Sequence, residues 1–84
     1  MKIYSASVLV LYSDTAGFHY PLLSGINRYS SCQDYLDRAA IPYITKSPTI
    51  TSKTEKVLIN IIEGEISKDG SITHTGGLDH TLYF

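Results

Sequence analysis

His74 and His80, with Asp79 beside the second, are the residues of this 84-residue chain whose chemistry suits a first-row metal ion. Imidazole nitrogen and carboxylate oxygen are common ligands of such ions. Alternation along a strand puts positions 74 and 80 on one face only if the intervening Gly76-Gly77 adds no bulge. Polar residues exposed on a strand or loop are the ordinary alternative, so no metal ligand and no cofactor is assigned. His19 would need a spatial partner to act as general acid or base, and only Asp14 stands near it in sequence. No catalytic residue is assigned. Cys32 is the single cysteine, so it has neither a disulfide partner nor a second thiol for a metal site, and an unreactive thiol is expected.

A second kind of chemistry belongs to the tyrosines at positions 4, 12, 20, 29, 35, 43 and 83. Such rings either form a stacking or anchoring surface or close the rim of a small core with their hydroxyls wet. The segment Phe18-His19-Tyr20 concentrates three large rings next to Gly17 and is the best candidate for a binding loop.

The elements that must position these residues come from the apolar pattern. With 43% hydrophobic against 18% charged residues the composition is that of a globular protein, and its length implies a single domain over residues 1–84. Residues 3–12 alternate weakly and read as a strand, ended by the polar run Ser13-Asp14-Thr15-Ala16-Gly17. Residues 18–23 contain Pro21, which suits an edge strand or an extended loop. Residues 31–40 hold no Gly or Pro, open on a Ser cap and stop before Ile41-Pro42, so one or two helical turns are expected there. A loop follows over residues 44–56. Residues 56–62 have the β-branched density of a central strand covered on both faces. Asp69-Gly70 closes a hairpin, residues 72–75 return, and residues 80–84 close the sheet after Gly76-Gly77. Five or six short strands in so small a chain predict a mainly β fold. The expected form is a small antiparallel six-stranded β-barrel with at most one short helix near residues 31–40.

The net charge of −1 supplies no field for a polyanion. The longest apolar run, residues 8–12, is far short of the roughly 20 residues that cross a bilayer. A cytoplasmic protein without membrane contact or small-molecule substrate is expected.

Two blocks carry a resemblance. The first is Ser13-Asp14-Thr15-Ala16-Gly17-Phe18-His19-Tyr20-Pro21-Leu22-Leu23-Ser24-Gly25, preceded by a β-forming run. The second is Ile72-Thr73-His74-Thr75-Gly76-Gly77-Leu78-Asp79-His80-Thr81-Leu82-Tyr83-Phe84. In this order they resemble the C-terminal (third) β-barrel domain of elongation factor Tu, with its acidic Gly-rich turn, Arg-His, Pro and two apolar residues, and a closing strand pair broken by Gly-Gly. The resemblance implies a six-stranded antiparallel barrel that helps hold the T stem of aminoacyl-tRNA and contacts protein partners. It maps binding onto Gly17, Phe18, His19, Tyr20, Thr75, Gly76, Gly77 and Asp79. Phe18 and Leu78 stand where the family carries Arg, which removes the positive charge that phosphate contacts use. Residues 30–46 depart from the family pattern, and no phosphate-binding Gly-Lys loop occurs, so the chain is not itself a GTPase. The expectation is a binding module without catalysis, with a protein partner first and tRNA, or another translation component, second. A small metal-dependent enzyme using His74 and His80 is the alternative.

Overall fold

The computed structural model describes residues 1–14, 17–21, 25–26 and 28–84, with only the backbone for residues 18–21 and 25–26. Its frame is three long strands, β1 (Lys2–Tyr12), β4 (Thr54–Ile66) and β5 (Ile72–Tyr83), with β4 in the middle. The short strands β2 (Phe18–Pro21) and β3 (Gly25–Ile26) both lie along the outer edge of β1, giving the order β2-β1-β4-β5 with β3 also on β1. Every pairing is antiparallel. The sheet is open, and the six-stranded barrel expected from the sequence is not formed.

A helix takes the place that closure would have filled. It runs as α1 (Cys32–Tyr35), a π-helical stretch (Leu36–Ala40) and α2 (Ile41–Thr45). The expected cap is present: Ser31 accepts a hydrogen bond at its hydroxyl from the Asp34 amide at 3.1 Å. Pro42 does not end the helix as the sequence suggests. It falls at the start of α2, after a wider turn in which the Ile41 amide bonds back to the Leu36 carbonyl. A π turn relaxes the clash that a proline ring makes with the carbonyl four residues earlier.

The strand alternation decides which residues meet this helix. Tyr4, Ala6, Val8 and Val10 of β1 and Val57, Ile59 and Ile61 of β4 point to one side and are buried with Tyr35, Leu36, Ala40 and Ile44 of the helix. Tyr4 and Tyr35 stack with ring centroids 5.8 Å apart, and Tyr29 stands edge-on to both, so three of the tyrosines serve the core. The run in β4 read as covered on both faces is covered on one. A single helix can shield a single face, so Leu58 and Ile62 stay 36% and 47% exposed.

The hairpin at Asp69-Gly70 forms as expected. Gly70 takes a positive φ of 86°, and the Asp69 carboxylate accepts hydrogen bonds from the Ser67 and Ser71 hydroxyls and the Ser71 amide. The Ser67 contact first, then those from Ser71, hold that carboxyl well below the usual range. Beyond the turn, the two strands expected around Gly76-Gly77 are one continuous strand, β5. This merging removes the strand count that a barrel needs.

Candidate functional site

No element among the described residues covers the second face of the open sheet, and the described side chains there come from alternate positions of the three long strands. Ser7 and Leu9 of β1, Leu58, Asn60 and Ile62 of β4, and Asp79 and Thr81 of β5 share it by register. Asn60 donates from its side-chain amide to Asp79 at 2.6 Å. This pair sits between two shallow depressions, one bounded by Leu9, Leu58 and Thr81, the other by Ile62, His74 and Gly77. The arrangement is a polar centre flanked by apolar side chains.

Of the sequence-level candidates, His74, Gly77 and Asp79 contribute to this face. Thr75 lies in a bulge: Glu63 pairs with Gly76 but Gly64 pairs with His74, so Thr75 has no partner in the ladder. Its hydroxyl donates to Glu63 at 2.9 Å. The bulge flips everything beyond it. His74 pairs with Gly64 and His80 with Ile59, an odd offset, so the two histidines lie on opposite faces. No group of three or more His, Cys, Asp or Glu residues fit to hold a metal ion occurs among the described residues. Gly77 has a structural reason of its own, since a Cβ there would stand 3.0 Å from the Ile61 carbonyl oxygen.

The expected first loop lies elsewhere. Phe18, His19 and Tyr20 pair through their backbones with Val10, Leu9 and Val8 at the far edge of β1, and their side chains lie outside the described residues. Tyr20 and His80 share one row of the sheet, with Val8 and Ile59 between them, three strand spacings or about 14 Å apart. The two segments onto which the resemblance maps binding therefore occupy opposite edges of the sheet, because β1 and β4 stand between them. Gly17 is an element of structure, for a Cβ there would collide with the Val10 carbonyl oxygen. Asp14 pairs with Lys53 at 2.7 Å.

The site residues that sequence reasoning missed are Leu58, Asn60 and Ile62. Their signal was the period-two placement of Asn60 between apolar residues, hidden by the β-branched density around it. On the covered side, burial pushes the Cys32 thiol up, in keeping with an unreactive group. No helix among the described residues is long and apolar enough to cross a membrane.

Comparisons with protein-family models, with curated proteins and with solved structures found no significant match. The resemblance to the third domain of elongation factor Tu gains no support from them, and its barrel is replaced by a helix-covered open sheet.

Proposed function

We infer that this chain is a non-catalytic, cytoplasmic binding module whose bare sheet face docks a protein partner. The observation that carries the reading is the unequal treatment of one sheet: the helix seals one side, while the other presents Leu9, Leu58 and Ile62 around the Asn60–Asp79 pair. An apolar patch with a satisfied polar centre suits a protein surface, where desolvated anchors supply affinity and a few hydrogen bonds fix orientation. Charge separates this reading from tRNA binding. Phosphate contacts gain affinity from Lys and Arg through counterion release, and Lys56 alone represents them among the described residues of the face.

The test starts with capture of partners on the immobilised chain and on a Leu58→Glu/Ile62→Glu variant, followed by titration of the purified partner. Both positions are exposed, so the variant should fold, and its affinity for the partner should drop at least tenfold. Equal affinity for both chains refutes the face. A gel shift with tRNA that is strong at low salt and collapses as salt rises would replace the protein partner with RNA.

A further inference from the structure

We propose that β5 is a self-pairing strand: two copies of the chain join β5 to β5 antiparallel, about an axis at His80, into one continuous sheet. The proposal concerns the edge of the sheet and stands independently of the docking face.

The backbone shows which groups are free. The Phe84 amide donates to the Glu55 carbonyl at 2.9 Å, so residue 84 turns its polar groups toward β4. Antiparallel ladders alternate, and with the register Val57–Leu82, Ile59–His80 and Ile61–Leu78 the even residues of this stretch bond to β4. On the other side of β4 the Ile66 amide donates to the Met1 carbonyl at 2.9 Å, which assigns the even residues of β4 to β1 and its odd residues to β5. Both routes agree. Gly77, Asp79, Thr81 and Tyr83 therefore turn their N–H and C=O groups outward, and no strand among the described residues receives them.

Sheet edges in natural proteins are blunted by Lys, Pro or a cover. The edge of β1 has β2 and β3 laid along it. β5 spans 12 residues, ITHTGGLDHTLY, with no Lys, Arg or Pro, and its one charged residue, Asp79, is held by Asn60.

The partner is singled out by register. Residues facing each other across an antiparallel pair share a face, so self-pairing must centre on a residue. An axis at His80 pairs Gly77 with Tyr83 and Asp79 with Thr81 of the second copy, in both directions. All four outward residues are then used, in about eight hydrogen bonds. An axis at Asp79 sets that carboxylate against its own copy and brings Tyr83 onto the bulged Thr75. An axis at Thr81 leaves the Gly77 groups unpaired within residues 77–83.

Side chains agree with the backbone. Tyr83 and Phe84, 80% and 55% exposed, come opposite Gly77 and Gly76 of the second copy. Aromatic rings laid across a strand onto glycine restore the packing that the missing side chain forfeits. Leu78 meets Leu82 on the covered face, where both already pack against the core. The Thr81 hydroxyl lies beside Asp79.

Two measurements test this. Sedimentation equilibrium from micromolar to millimolar concentration should give a dimer, and Thr81→Pro should weaken association at least tenfold. That proline removes an amide pointing away from β4, so circular dichroism and melting should change little. In a Cys32→Ser background, His80→Cys should cross-link under mild oxidation, because the axis brings its Cα atoms within disulfide reach, about 4.5 Å. Asp79→Cys should not. A monomeric mass for the parent chain at every concentration, or faster cross-linking at 79 than at 80, overturns the proposal. So does pairing of β5 with a strand of another protein only. Should Thr81→Pro fail to fold, Tyr83→Lys at a solvent-exposed position serves instead, and a dimer of unchanged strength in that variant counts against the register.

Discussion

The two faces of the sheet are made from the same strands, yet the helix divides them completely. On its side Tyr4, Val8, Val57 and Ile61 have no exposed surface, whereas Leu58 and Ile62, one residue along in β4, remain open to solvent. Stability is concentrated on the first face. On the proposed function recognition falls to the second, where an exposed apolar side chain contributes little to folding and can anchor a partner. The edges repeat this contrast, with β1 flanked by two short strands and β5 by none among the described residues.

Truncation on each face is the strongest way to break that comparison. Leu36→Ala or Ile61→Ala should cost about 2–5 kcal/mol, since each removes fully buried atoms and leaves a cavity. Leu58→Ala and Ile62→Ala should stay within about 0.5 kcal/mol of the parent in urea unfolding. Similar losses on both faces would mean that the second face is covered in solution, as by a stable dimer face to face.

A smaller effect belongs to the edge of β1. Gly17→Ala forces a Cβ into the Val10 carbonyl, so the chain must shift where it turns toward β2, at a cost of about 1–3 kcal/mol. Hydrogen exchange should speed up at Val8 and Val10, whose amides face β2, and stay slow at Ile59 and Ile61. Uniform acceleration would show that the edge and the centre open together.

Among the buried and edge positions the smallest change is expected at Tyr4, in the sealed face itself. Its hydroxyl is fully enclosed and has no hydrogen-bond partner of acceptable geometry, although Glu63 lies across the ladder from it. Burial first, then the Glu63 carboxylate, pushes the phenol up from 10.0 to about 12. The fold favours the neutral phenol, so this contribution is whole below pH 10 and is lost as pH rises from 10 toward 12. Tyr4→Phe should gain about 1 kcal/mol at neutral pH by removing an unsatisfied hydroxyl, and its stability should fall less between pH 10 and 12. A loss at neutral pH would instead reveal a hydrogen bond made by that hydroxyl.

Local physics made several elements legible in the sequence. The period-two pattern in residues 3–12, the Ser31 cap, the positive-φ glycine after Asp69 and the edge position of the Pro21 strand each depend on residues within a few positions of one another, and each is present. What the pattern left open was which strand lies beside which, because pairing is a long-range choice that alternation does not encode. The helix residues Tyr35, Leu36, Ala40 and Ile44 occupy the face that a barrel would have closed around, and only their packing against Tyr4, Val8 and Ile61 decided for an open sheet. The same holds for the bulge at Thr75. It reversed the face of every later residue in β5, separated His74 from His80, and brought Asp79 to Asn60, a contact created by the register of two strands and by nothing in either strand alone.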